Sequence, residues 1–373
     1  MKKILFMLIA ASLLFAGPAV SSDTIRIGLM CPLTGSWASE GRDMRQIVEL
    51  LAGQINDQGG LLGKKVEIVV ADDGGDPRTA ALAAQRLASR NVVGVIGTYG
   101  SSITEASQNI YAATNTLQIA NGSTSVRLSE KGLPYFFRTC PRDDEQGRVA
   151  VETMIEKGFS RIAILHDSTT YARGLADEAR NLLADTDAEV VFFDALTSGE
   201  QDYTTILTQI RGTRPDVVLF TGYYPEAGML LRQKREMGFD VPFIGGDATN
   251  NPDLVKIAGN AAAEGFQFLS PPVPQDLPSP EASEFLAAYI EKYGQAPGSI
   301  WAVLAGDGFR VLAAAIAGSG STETEAVANY LKNDLKSFPG LTGTIDFDHK
   351  GDRVGDVYRV YEVGSNGDFV LQM

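Results

Sequence analysis

Between Arg214 and Asn250 the chain reads RPDVVLFTGYYPEAGMLLRQKREMGFDVPFIGGDATN, a strand, a loop, a helix and a second strand with ligand-suited residues at both strand ends. Residues 216–220 are a short apolar run of the kind shown by a parallel strand covered on both faces, and Gly222-Tyr223-Tyr224-Pro225 breaks it. Pro225 suits a first helical position, and Met229, Leu230, Gln233 and Met237 recur at spacings that face a core before Gly238 stops the helix. Phe243-Ile244 then ends in Gly245-Gly246-Asp247. Tyr223 and Asp247 are thus expected at the carboxyl ends of two strands of one sheet, where open α/β sheets bind ligands.

The same alternation runs through most of the chain. Strands are predicted over 25–30, 65–71, 92–96 and 117–120, with helices between them; Asp76-Pro77 marks a helix start, aspartate as cap and proline in the first turn. Asp72, Asp73 and Asp76 lack the acid-x-acid-x-acid-Gly spacing of a calcium loop and are read as turn and cap residues, so no metal is expected. A second run follows Cys140-Pro141: helix 145–156, strand 161–165, helix 171–183, strand 190–193, helix 203–211, then the segment above. The proline-dense SPPVPQDLPSP (270–280) interrupts regular structure as a linker would. Helices are expected over 281–293, 299–317 and 323–335, and short strands from 343 to 373, with turns at 349–352 and 365–368.

Composition narrows the function. The opening MKKILFMLIAASLLFAGPAVSS has two lysines, an apolar run and then small residues, the pattern of a cleavable secretory leader over residues 1–21, with a soluble periplasmic product expected. A net charge of −14, from 46 acidic against 32 basic residues, repels phosphates and argues against nucleic acid as a partner. There is no Gly-x-Ser-x-Gly, Cys-x-x-Cys, phosphate loop or Gly-x-Gly-x-x-Gly, and the two histidines, His166 and His349, have no nucleophile motif beside them, so neither an enzyme nor a cofactor is expected. Cys31 and Cys140 are left open between a disulfide and two buried thiols.

Five segments in order, GGLLGKKVEIVVADDGGDP (59–77), VIGTYGSSIT (95–104), RIAILHDSTTYARGLA (161–176), TGYYPEAGMLLRQ (221–233) and IGGDATN (244–250), resemble the periplasmic leucine/isoleucine/valine-binding proteins of ABC importers. The likeness covers nearly the whole mature chain. It implies the type I periplasmic binding protein fold: α/β, two wound parallel-sheet lobes joined by a multi-strand hinge, lobe 1 from 22–140 plus 272–345 and lobe 2 from 141–271 plus 346–373. It also implies a monomer that encloses an amino acid, most simply a branched-chain one, and delivers it to permease subunits at the membrane. A polar or cationic amino acid, another small carboxylate, or a sensor role on the same scaffold are the alternatives. The bridge that many relatives make between a cysteine near Gly74-Gly75 and one just before the serine pair is absent, because Gly75 and Gly100 stand there.

The site follows residue by residue. Gly100-Ser101-Ser102 opens a helix, whose free N–H groups and serine hydroxyls make a seat for a carboxylate; spacing alone leaves Ser101 equally suited to capping, and the resemblance favours binding. Gly122 would offer a carbonyl to an ammonium and Thr124 a hydroxyl to either end of the ligand. Tyr171, Tyr223 and Asp247 are expected from the other lobe, Asp247 facing the ammonium where the family commonly has glutamate. Tyr99, Tyr171 and Trp301 would line a side-chain pocket. Glu40 stands where the family commonly sets an aromatic residue. Either it turns to solvent at the rim and leaves an aliphatic pocket, or it enters and pairs with a polar or cationic side chain; the branched-chain expectation goes with the first outcome.

Overall fold

The structure is a computed structural model describing residues 24–277, 279–355 and 357–372; the leader expected over 1–21 lies outside them. Parallel strands β1 (Ile25–Cys31), β2 (Val66–Asp72), β3 (Gly94–Ile96), β4 (Leu117–Ala120) and β5 (Phe136–Arg138) form one sheet in the order β2-β1-β3-β4-β5. A second sheet takes β6 (Arg161–His166), β7 (Glu189–Ala195), β8 (Val217–Phe220), β9 (Phe243–Gly245) and β10 (Gln267–Ser270) in the parallel order β7-β6-β8-β9-β10. Strands β11 (Phe338–Gly340) and β12 (Gly343–Ile345) make a separate hairpin, while β13 (Arg359–Val363) and β14 (Phe369–Leu371) extend the second sheet antiparallel beyond β10.

The two parallel sheets have the same winding. In each the first strand lies between the second and the third, so adjacent loops leave β1 and β3, and β6 and β8, in opposite directions and open a crevice at the carboxyl ends of the strands. The loops after β1, β3 and β8 carry Trp37, Tyr99 and Tyr223, and the loop after β6 leads into helix Thr170–Leu183, whose first turn holds Tyr171. The short strands β5 and β10 escaped the sequence reading: β5 is three residues ending in an arginine, and β10 runs into the proline-dense stretch.

Helix Ile300–Ser319 is apolar on most of its surface, with Asp307 and Arg310 its only charged residues, and burial accounts for this: Trp301, Phe309 and Leu312 pack with Ile27 and Leu29 of β1, Ile47 of helix Ala38–Asp57 and Ile119 of β4. In helix Tyr224–Glu236 the buried face runs through Tyr224, Ala227, Leu230 and Leu231, with the expected Met229 and Met237 at its flanks. The predicted cap is formed, Asp76 accepting the N–H groups of Arg78 and Thr79 at 3.0 and 2.9 Å. Asp72 and Asp73 accept backbone N–H groups of their own turn, from Gly74 at 2.8 Å and Gly75 at 2.9 Å, and among the described residues no acidic, histidine or cysteine cluster fits a metal ion. Cys31 and Cys140 are free and buried.

After β5, after β10 and after β12 the chain passes between the lobes, and the first and last of these passages are riveted together. The fully buried Arg138 places Nε 2.5 Å from Asp352 Oδ1, while Arg142 Nη1 and Ser129 Oγ donate to Oδ2 at 2.6 and 2.7 Å. Arg138 Nη1 also donates to the carbonyls of Ser123 and Ser125, at 2.9 Å each, fixing the loop after β4. Burial alone would raise the Asp352 carboxyl, but the two arginines outweigh it and hold the group below the usual carboxylate range. Asp352→Ala strands a buried guanidinium and is expected to cost about 3–5 kcal/mol in urea unfolding. Glu67→Ala, at the exposed Arg26 pair, should change stability by about 1 kcal/mol or less. The Asp352 contribution is present at neutral pH and is lost as pH falls through its lowered pKa.

Candidate functional site

In the first lobe, β3 delivers Tyr99 and Gly100 to the start of helix Ser101–Ala113. Gly100 has φ of 90°, a conformation that glycine adopts without strain. Its N–H donates to the carbonyl of Gly122 at 3.1 Å, and the loops after β3 and β4 lie side by side. Ser101 is fully buried and its hydroxyl accepts the Ser125 N–H at 3.1 Å, so the helix start and the loop after β4 form one polar surface. The carbonyl of Thr124, also buried, accepts the N–H of Asp143 at 3.0 Å. Ser102 reaches the other lobe instead, accepting the Thr170 N–H at 2.9 Å.

The second lobe answers with carboxylates. Asp247, in the single turn Asp247–Thr249 after β9, is 1% exposed; its Oδ2 accepts Tyr358 Oη–H at 2.6 Å and Gln146 Nε2–H at 2.8 Å. Gln146 Nε2 also lies 3.1 Å from Asp143 Oδ1, so one amide holds two carboxyl groups together. The Oε1 of Gln146 accepts from Tyr171 Oη at 3.2 Å and from the Asp247 N–H at 2.9 Å. Asp143 is fully buried and its Oδ2 has no hydrogen-bond partner. Burial raises the Asp247 carboxyl to about 7, and burial together with the charge of Asp247 pushes Asp143 up as well. Two neighbouring carboxylates cannot both ionise there uncompensated; a cation between the lobes would let them.

Sequence reading singled out Asp247 but not Asp143, Gln146 or Tyr358, to which its side chain is linked by hydrogen bonds, to Asp143 through Gln146. Asp143 is one of three consecutive first-turn acids of helix Asp143–Glu156, and nothing local separates it from Asp144 or Glu145.

Aromatic rings enclose the rest. Tyr99 and Trp301 are each 1% exposed with ring centres 6.3 Å apart, and Tyr171 and Tyr223 meet edge to face at 5.4 Å. Tyr99 Oη and Trp301 Nε1 have no hydrogen-bond partner. Trp37, not singled out from sequence, stacks on Tyr223 with centres 4.3 Å apart.

Glu40 overturns the expectation that it turns to solvent. Its helix begins at Ala38, which puts Glu40 in the first turn on the inward face, 1% exposed. Oε1 accepts Asn251 Nδ2–H from the second lobe at 2.6 Å and Oε2 accepts Ser299 Oγ–H at 2.5 Å. Nor is it paired with a cation: burial, only partly offset by those two hydrogen bonds, raises its pKa from 4.5 to about 8. Between these two values the folded protein keeps a proton that the unfolded chain has released, so stability falls as pH rises through the window, by on the order of a few kcal/mol. In Glu40→Gln that part of the slope should vanish, and the variant should gain on the wild type in urea unfolding from pH 5 to pH 9; parallel curves for the two proteins would contradict the assignment.

Two like-wound lobes that bury a carboxylate pair, a polar helix start and an aromatic wall between their strand ends define a two-lobed solute-binding protein, a class that closes on its ligand about a hinge. The chain belongs to the periplasmic binding protein family, whose model matches residues 24–368. It is 32% identical over 374 aligned residues, 99% of each chain, to Leu/Ile/Val-binding protein homolog 1 of Brucella abortus (strain 2308). To the leucine-, isoleucine-, valine-, threonine-, and alanine-binding protein of Pseudomonas aeruginosa it is 33% identical over 350 residues, 93% of this chain and 92% of that one. The branched-chain amino acid transporter substrate binding protein LivJ of Streptococcus pneumoniae, solved in complex with isoleucine, matches with a TM-score of 0.85 at 29% identity, over 94% of this chain and 99% of that one.

Proposed function

We propose that this chain is the substrate-binding component of an ABC importer and that it encloses one α-amino acid with a side chain of branched-chain size. The observation that carries the reading is the buried pair Asp143 and Asp247 opposite the helix start at Ser101. An ammonium placed between the carboxylates compensates them, and the N–H groups and hydroxyls of Ser101 and Thr124 receive the carboxylate of the same molecule. The carbonyl of Gly122 stands beside that seat. Tyr99, Tyr171, Tyr223 and Trp301 form the wall against the side chain, and the relatives are named for leucine, isoleucine and valine, one of them also for threonine and alanine. Ser102 and Glu40 act in lobe-to-lobe contact.

The lobes are assigned as 22–140 with 272–345 and 141–271 with 346–373, hinged where the chain passes between them. The protein is secreted by the leader at 1–21, works as a monomer in the periplasm, and hands its ligand to permease subunits.

A saturating amino acid at a hundredfold its Kd should add about 2.7 kcal/mol, a rise in Tm of roughly 5–10 °C for lobes of this size. Asp247→Ala should remove most of that rise. Because the ammonium lowers the raised carboxyl pKa values, binding near pH 6.5 should release protons, read by calorimetry in buffers of different ionisation enthalpy, and Asp247→Asn should abolish most of the release. Equal stabilisation by the matching amine or carboxylic acid alone would falsify the two-ended reading.

A further inference from the structure

Trp37 lies on the loop between β1 and helix Ala38–Asp57, and its indole sits in a slot floored by glycine. A Cβ built on Gly75 would stand 2.8 Å from the ring's Cε3, and one on Gly100 3.1 Å from Cζ3. Both glycines also have positive φ, 65° and 90°, so the slot suits no other residue at either point. From that slot the ring meets Tyr99 edge-on at 5.4 Å and stacks, tilted by 32°, on Tyr223 of the second lobe. It packs against the apolar clusters of both lobes. The Tyr223 hydroxyl in turn reaches over the seat, lying 3.3 Å from the Cβ position of Gly100, next to Ser101.

The contact is reinforced by its chain neighbours. Tyr224 donates its hydroxyl to the Ser36 carbonyl at 2.8 Å and lies 3.1 Å from Ser39 Oγ. Residues 36–39 of one lobe therefore strap across residues 223–224 of the other, with the indole at the centre of the strap.

We propose that Trp37 is a positioning residue for ligand capture: it clamps Tyr223 over the helix start at Gly100-Ser101 and so sets how slowly the closed cleft releases its ligand. The inference rests on the amino-acid reading of the cleft and adds a residue to it. An offset stack this close contributes beyond the area it buries, and it forms only when Tyr223 of the second lobe comes against the first. Its loss should therefore be felt in dissociation more than in association.

The test uses the tightest binder among L-leucine, L-isoleucine, L-valine and L-threonine. Trp37→Ala should weaken its Kd on the order of tenfold, by faster release in stopped flow. Trp37→Phe, which still stacks, should recover most of the affinity. The chain has two tryptophans, so emission separates clamp from pocket: the ligand-induced change of the wild type should lose most of its amplitude in Trp37→Phe. Trp37→Ala binding within about twofold of wild type overturns the clamp, as do equal losses in the alanine and phenylalanine variants or an undiminished emission change in Trp37→Phe. A wild type that binds none of the twenty amino acids overturns the amino-acid reading and the clamp with it.

Discussion

The arrangement of this protein turns on a charge that its own residues do not neutralise. Asp143 and Asp247 are both removed from water, share the amide of Gln146, and leave Asp143 Oδ2 without a partner. Uncompensated carboxylates in such a place take up protons, and the raised Asp247 expresses that cost. In the proposed function, a small ammonium brought between the lobes would relieve it. Because Asp143 also donates its backbone N–H to Thr124 of the first lobe's cleft loop, the charge that calls for a ligand sits where the lobes meet.

What brings those groups together is winding order. In both lobes the first strand lies between the second and third, so each lobe opens a crevice at its own switch point, and the two crevices face each other. The passages between lobes hold that facing in place. Arg138 ties the loop bearing Ser123 and Ser125 to Asp352, one segment belonging to the site and the other to the return of the chain. Such a buried pair fixes geometry more surely than it adds stability, since two charges had to leave water to form it.

Three further contacts join one lobe to the other across the cleft. Glu40 meets Asn251, Ser102 meets Thr170, and Trp37 meets Tyr223. Glu40 shows why such roles resist a local reading: a carboxylate in an aromatic position suggests either exposure or a cationic partner, yet it is buried with two neutral donors, Asn251 and Ser299, and burial raises its pKa against the opposing pull of those hydrogen bonds.

The sequence by itself determined what depends on neighbours within a few residues. Alternating apolar runs and amphipathic helices specified parallel sheets, Asp76-Pro77 specified a helix start, and glycine-broken strand ends marked Ser101, Tyr223 and Asp247 as residues at the carboxyl edge of a sheet. Tertiary structure alone decided which of those edges face one another. Gln146 and Tyr358 reach Asp247 across 101 and 111 residues, and Asn251 reaches Glu40 across 211. No periodicity encodes those separations. A side chain's partner across a cleft is fixed by how two whole lobes pack, and so Asp143 reads in sequence as one more acid at a helix start while in the fold it is half of the charge on which the site is built.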